Sequence, residues 1–374
     1  MWFILTFKDK EIVHLYKLQL TAYSLQHTAY SMPGMVGGFG NFFVPLLIGA
    51  VDMARGIRIW INYLSKKNIK RVYIYRYNFS TFNKREFDEY LSLNNKDNNF
   101  GSYLAGLFEG DGHIWIPKEN MIKKHNPRFC ITFHIKDLPL AKIILKKIGF
   151  GFIRIKSKEN AVVLTVSPIK GLKYILSQIS NYLRTPKINQ VNKLIDWLNK
   201  YQDTNYPSIV CNENTLESDN WLAGFIDADG GFYIYYFHKT EINKCIIKLT
   251  FTIEQRIIDP VSKESYELIM KKIANFFKIN LSIRSQKSTG NSYFRLVVTN
   301  KLSKSILINY LTNYSLYSSK FLNYIDWKEV HKLKMNNRNL SIEDKSKILL
   351  LKSNMNNKRT QFNWDHVYKS NIFI

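Results

Sequence analysis

The chain has 374 residues, with 54 Lys and Arg against 29 Asp and Glu, a net charge of +25. Such an excess favours a polyanionic partner such as nucleic acid, because cations that neutralise phosphates release counterions. An AT-rich gene that overuses Lys, Asn and Ile codons accounts for a share of the lysine. Cys130, Cys211 and Cys245 have no zinc-ligand spacing and form no disulfide framework, and neither a Gly-rich phosphate loop nor a Ser/His/Asp order occurs.

From Leu18 to Val51 there is no Lys, Arg, Asp or Glu. The run is long enough to cross a bilayer, and its glycines and prolines, from Met32-Pro33-Gly34 to Gly49-Ala50-Val51, suit a packed membrane helix. It lacks the Arg- and Ser-rich amphipathic character of a transit peptide. The stretch resembles a transmembrane part of cytochrome c oxidase subunit I, and the likeness stops near Ala54. Basic sequence begins at Arg55-Gly56-Ile57-Arg58. Residues 1–54 therefore read as a fused exon-like apolar segment or as a functional membrane anchor, and residues 55–97 as a basic linker.

A nonamer then occurs twice: Leu104-Ala105-Gly106-Leu107-Phe108-Glu109-Gly110-Asp111-Gly112 and Leu222-Ala223-Gly224-Phe225-Ile226-Asp227-Ala228-Asp229-Gly230. Both copies read as a helix end, and both place an acid just before the terminal glycine. A carboxylate there is unfavourable by a few tenths to ~1 kcal/mol, because the helix C-terminus carries partial negative charge. Lys or Arg would be the stabilising choice. The same local rule broken twice points to a site. Small residues at helical spacing let the two helices approach, which sets Asp111 and Asp229 side by side. Two close carboxylates repel unless a cation lies between them, and a hard ion such as Mg²⁺ suits oxygen ligands.

The repeat continues. His113–Ile116 and Phe232–Tyr236 read as strands. Ile131-Thr132-Phe133-His134-Ile135-Lys136-Asp137 parallels Leu249-Thr250-Phe251-Thr252-Ile253-Glu254-Gln255. Leu140–Ile148 and Tyr266–Phe277 read as amphipathic helices. Strands Phe152–Lys156 and Ala161–Ser167 match Leu281–Gln286 and Tyr293–Thr299. Helices near Leu172–Leu183 and Ser303–Leu311 follow, then Leu183-Arg184-Thr185-Pro186-Lys187 against Leu316-Tyr317-Ser318-Ser319-Lys320. The fold expected is α+β: two pseudo-symmetric αββαββα repeats whose antiparallel sheets form a saddle. The domains expected are 98–203 and 218–345, with a linker at 204–217 and a basic tail at 346–374.

Both nonamers resemble the signature of the LAGLIDADG homing endonucleases, in the form with two motifs on one chain. Copy two departs from the consensus at Phe225, and copy one at Phe108, Glu109 and Gly110. The resemblance covers roughly Asn98 to Leu340. It implies a monomeric enzyme that cuts double-stranded DNA, with Asp111 and Asp229 as catalytic ligands of Mg²⁺ or Mn²⁺. It implies that Lys187 and Lys320 stabilise charge near the scissile phosphates, and that Gln255, with Asp137 at the matching place, orders water. With the upstream likeness, it implies an intron-encoded protein of the mitochondrion whose target is the intronless oxidase gene. Residues for DNA contact on the sheets are Lys118, Lys123, Lys124, Arg128, Arg154, Lys156, Lys239, Lys244, Lys248, Arg284, Lys287 and Arg295; strand ribbons can read base edges in the major groove. Two alternatives stay open. One is a maturase that binds its own intron RNA and assists splicing. The other is a structural membrane protein, which leaves everything after residue 97 without explanation.

Overall fold

A computed structural model of the chain describes residues 74–77, 98–122, 124–239, 244–286, 290–336 and 340–373, without the side chains of 74–77, 98, 238, 239, 244 and 245. All belong to one compact unit, Tyr73–Ile374. The apolar run and most of the basic linker lie outside the described residues, as do Lys123 and Lys287. Strand β1 (Ile74–Tyr77) falls inside the segment read as a linker and pairs with β4, so the first sheet begins before residue 98.

The first half runs α1 (Asn98–Asp111), β2 (Gly112–Trp115), β3 (Arg128–His134), α2 (Leu138–Ile148), β4 (Gly151–Lys156), β5 (Ala161–Val166), α3 (Ile169–Ile179) and α4 (Ile188–Tyr201). The second runs α5 (Trp221–Asp229), β6 (Gly230–Lys239), β7 (Lys244–Arg256), α6 (Glu267–Phe277), β8 (Ser282–Ser285), β9 (Ser292–Val298), α7 (Lys301–Asn313) and α8 (Lys320–Asn336). Each half is thus the expected αββαββα unit plus one further helix, which begins at or beside the repeated lysine. The sheets are antiparallel, in the orders β1-β4-β5-β3-β2 and β6-β7-β9-β8.

Period-two patterning sets the sheet faces. On β7, Ile247, Leu249, Phe251 and Ile253 are buried against the helices while Lys248 points outward. On β3, Phe129, Ile131 and Phe133 do the same. Helix α2 buries Leu140, Ala141, Ile144, Leu145 and Ile148, the 3–4 spacing of a single apolar stripe. Pro139 sits in its first turn, and Gly149 ends it at φ 75°, a left-handed stop that glycine allows. Helix α3 stops at Ile179, short of the expected Leu183, because Tyr182 and Leu183 belong to the turn that leads to Lys187.

The C-terminal stretch is docked. Helix α9 (Ile342–Ser353) opens on a capping box between Ser341 and Asp344. Asn356 donates to the Phe232 carbonyl at 2.9 Å, and its backbone N–H donates to Asn323 at 3.0 Å. Arg359 pairs with Asp326. His366, in the short helix α10 (Asp365–Tyr368), stacks on Phe321 at 4.2 Å. Phe373 then packs edge-on against Phe100, Tyr103 and Tyr317 at 6.1, 6.2 and 5.1 Å. The tail covers the base of α1 with an aromatic cluster.

Candidate active site

Helices α1 and α5 meet through their small residues. A Cβ on Gly106 would lie 1.9 Å from the Trp221 carbonyl oxygen, one on Gly224 2.1 Å from the Tyr103 carbonyl oxygen, and one on Gly110 2.1 Å from the Ala228 Cβ. The third motif position of each helix thus faces the residue that precedes the motif on the other. Both helices end on their acid, Asp111 and Asp229. Among the described residues no three His, Cys, Asp or Glu side chains form a cluster, so the acidic site is this pair of carboxylates.

Asp111 is open to solvent and Asp229 is half-buried. Burial, followed by the Asp111 charge, pushes the Asp229 carboxyl up to about 7; Lys320 and Lys187 pull the other way. Asp111 is also raised, by the surrounding protein first. Gln255 Nε2 donates to Asp229 Oδ2 at 2.8 Å and fixes that oxygen.

The lysines resolve the misplaced acids. Lys187 Nζ donates to the carbonyls of Gly110 at 2.6 Å, Gly112 at 2.8 Å and Phe108 at 3.3 Å. Lys320 Nζ donates to those of Ala228 at 2.5 Å and Ile226 at 3.4 Å. Each motif helix therefore receives the C-terminal cation that its own sequence withholds, supplied from the far end of the same half. Burial lowers the Lys187 ammonium, with Asp229 and Asp111 opposing.

The expected pairing of Gln255 with Asp137 changes in the ladder. Gly112 stands opposite Ile131, whereas Gly230 stands opposite Ile253. Counted from those glycines, Gln255 corresponds to Phe133. Asp137 has left the strand in a 3₁₀ turn, where its Oδ1 accepts from the Ser319 N–H at 2.6 Å, beside Lys320. Asp137 therefore holds a loop of the other half.

Of the residues expected to face DNA, Arg128, Arg154, Lys156, Lys248, Arg284 and Arg295 lie on the outer faces of the two sheets. Arg128 and Arg154 are exposed there on the first sheet, with Lys156 half-buried and paired with Glu159. Lys118 and Lys124 are exposed on the β2–β3 connection. On the second sheet Lys248 is exposed, while Arg284 and Arg295 share Glu254 at 2.7 and 3.0 Å. Lys239 and Lys244 face each other as backbone partners. Sequence reasoning missed the row beside them: Tyr233, Tyr235 and Phe237 stack along β6, ring centroids 6.2 and 6.1 Å apart, on the solvent side. Their alternation with Ile234 was the signal.

It gave no role to the two buried motif acids. Glu109 and Asp227 are 0% and 5% exposed, and each accepts hydrogen bonds from the loop that carries its half's lysine. Burial lifts Glu109 to about 7 against the pull of its hydrogen bonds from Thr185, Arg184 and Trp221. Glu109 and Asp229 therefore hold more protons in the folded chain than in the unfolded one between about pH 4 and 7, and the stability they contribute falls as pH rises through that window. The Tm gain of Asp229→Asn over wild type should be small near pH 4.5, grow to about pH 7 and then level off. Differential scanning fluorimetry in EDTA checks this; a gain independent of pH contradicts it.

Comparison with known proteins agrees with this geometry. The profile of the LAGLIDADG endonuclease family matches residues 104–202 and 222–331. A Saccharomyces cerevisiae relative, intron-encoded DNA endonuclease aI3, is 28% identical over 370 residues, which span 90% of this chain and 81% of the relative. The uncharacterized cox1 intron-2 37.2 kDa protein of Schizosaccharomyces pombe is 31% identical over 256 residues, 67% of this chain and 71% of that one. The crystal structure of the LAGLIDADG homing endonuclease I-SmaMI bound to cleaved DNA superposes with a TM-score of 0.53 at 20% identity, covering 69% of this chain and 97% of that one. Two copies of one motif helix, packed through their small residues and ending on paired carboxylates, place this chain in the LAGLIDADG endonuclease family.

Proposed function

We propose that the protein is an intron-encoded, site-specific DNA endonuclease that breaks both strands of the intronless form of its host gene by metal-assisted phosphodiester hydrolysis. The observation that carries this is the meeting of Asp111 and Asp229 at the tips of two close-packed helices, each tip bearing a lysine. The donor set fits Mg²⁺ or Mn²⁺: two hard oxygen ligands, with the remaining positions left to water and substrate phosphate, and an Asp229 carboxyl whose pKa a cation would bring back down. Bound there, the ion supplies polarisation of the phosphate and activation of water. The protein supplies the rest. Gln255 holds Asp229 Oδ2 in place. Lys187 and Lys320 bring positive charge to the helix tips, where negative charge develops. The outer faces of the two sheets, with Arg128, Arg154, Lys248 and the stacked rings of β6, take the duplex, one half-site each. The chain works as a monomer.

On this reading residues 98–203 and 218–345 are the two domains, joined by 204–217, with 346–374 as a docked tail and 55–97 as a linker that also lends the first sheet its edge strand β1. Residues 1–54 are the fused exon segment of the oxidase gene. A match over 90% of the chain cannot lie within residues 98–374 alone, and a relative carries cox1 intron in its name; both support an oxidase-gene setting and a mitochondrial location. The test uses the full chain with labelled duplexes of the intronless and the intron-interrupted oxidase junction, in Mg²⁺ and in Mn²⁺. Cutting of the intronless duplex alone is expected. Tight binding to the folded intron RNA with no cutting of either duplex would replace this proposal by the maturase reading.

A further inference from the structure

We propose that Glu109 and Asp227 are positioning residues: each sets the lysine of its own half, while a side chain of the other half completes its hydrogen-bond shell. The inference rests on the nuclease proposal above. Glu109 Oε1 accepts from the Thr185 N–H at 2.6 Å and from Thr185 Oγ1 at 2.7 Å, and the Arg184 N–H lies 3.0 and 2.9 Å from its two oxygens. Thr185 Oγ1 in turn accepts from the Lys187 N–H at 3.3 Å. In the second half Asp227 accepts from the N–H groups of Tyr317 and Ser318 at 2.6 and 3.1 Å and from Ser318 Oγ at 2.5 Å. Ser318 Oγ accepts from the Lys320 N–H at 3.1 Å. The same series of atoms occurs twice: carboxylate, hydroxyl, lysine backbone.

The last donor to each carboxylate comes from across the interface. Trp221 Nε1 donates to Glu109 Oε2 at 2.6 Å, and Tyr103 Oη donates to Asp227 Oδ2 at 2.8 Å. Trp221 and Tyr103 hold equivalent places, each directly before its motif. A buried carboxylate is tolerated only when its lone pairs are filled. Neither acid fills its shell within its own half. Docking of the halves therefore fixes both lysine loops at once, and the two lysines are registered to each other through the helices. A purely structural carboxylate would need neither a hydroxyl relay aimed at the lysine nor a partner from the opposite half. The motif's sixth position is thus used twice for placement, while the eighth provides the acids at the helix tips.

The test is strand-resolved cleavage of a duplex labelled differently on its two strands. Displacement of a reacting group by about 1 Å can cost on the order of 100-fold, and each loop serves one lysine. Glu109→Gln is expected to slow one strand by on the order of 10- to 100-fold and to accumulate nicked product, and Asp227→Asn to slow the other strand, with DNA affinity kept. Thr185→Val removes the relay hydroxyl without touching the buried charge and should slow the same strand as Glu109→Gln, whereas Thr185→Ser should retain the rate. Trp221→Phe, which deletes the donor from the other half, should also slow that strand. Lys187→Met is the reference. If Lys187→Met leaves both strands at the wild-type rate, the lysine assignment in the nuclease proposal fails. If Lys187→Met slows one strand but Thr185→Val leaves both unchanged, the positioning inference fails. A Glu109→Gln protein that does not fold leaves Thr185→Val to decide.

Discussion

Asp111→Asn and Asp229→Asn should each abolish double-strand cleavage, by on the order of 10³-fold or more, while DNA binding persists. The size follows from the role: charge stabilisation by a bound metal is worth several kcal/mol, and each 1.36 kcal/mol is tenfold in rate. Binding persists because the sheets' outer faces, not the helix tips, carry the cationic surface. Asn keeps the shape of Asp and removes one charge from a pair in which burial first, and the Asp111 charge second, hold Asp229 up to about 7. The inactive variants should therefore be no less stable than wild type at pH 8. Cleavage and filter-binding assays run side by side give the answer; full cutting by both variants in Mg²⁺ would remove these acids from the mechanism.

The largest loss of stability should come from an unreactive pair. Gly106→Ala and Gly224→Ala each drive a methyl to within 1.9 and 2.1 Å of a backbone carbonyl oxygen on the facing helix. A backbone oxygen cannot rotate away as a side chain would, so the helices must separate. Separation would undo the bonds that Trp221 and Tyr103 donate across the interface to Glu109 and Asp227. A cost of at least about 3 kcal/mol is expected for each, at the upper end of overpacking effects. Urea denaturation measures it, and a wild-type midpoint for Gly106→Ala would mean that the helices do not pack as described.

Much of this was legible in the primary structure, and what was not has a common physical origin. The motif helices, the alternating strands and the amphipathic α2 and α6 are local patterns, carried by spacing within a dozen residues. The pairing of Asp111 with Asp229 could be inferred because small residues advertise close helix approach. The cation at each helix end could not be placed, because Lys187 and Lys320 reach the carbonyls from a loop at the opposite end of the half. The matching of Gln255 to Asp137 failed for a related reason. The hairpin from Gly230 to its partner Ile253 is longer than that from Gly112 to its partner Ile131, and strand pairing is a property of two strands rather than of either sequence. Glu109 and Asp227 could not be given a role, since their partners come from loops and from the other half. The tail had no periodicity to read; its aromatic residues declare themselves only against Phe321, Tyr103 and Phe100.

That last contact has a consequence for the order of assembly. Phe373 rests on Phe100 and Tyr103, residues made before either sheet of the two motif-bearing halves is complete. During synthesis the base of the first motif helix stays uncovered until the second half has left the ribosome. The same helix buries another face against α5, so only the face it packs on β3 and α3 of its own half is satisfied early. Contacts of such long sequence separation form late and slow the search for the native state. A nascent first half would expose sticky surface for the whole time its partner is being translated, and such transient exposure is what makes partly folded chains aggregate. The doubling of the motif, which puts both acid-bearing helix tips on one polypeptide, carries this kinetic liability with it.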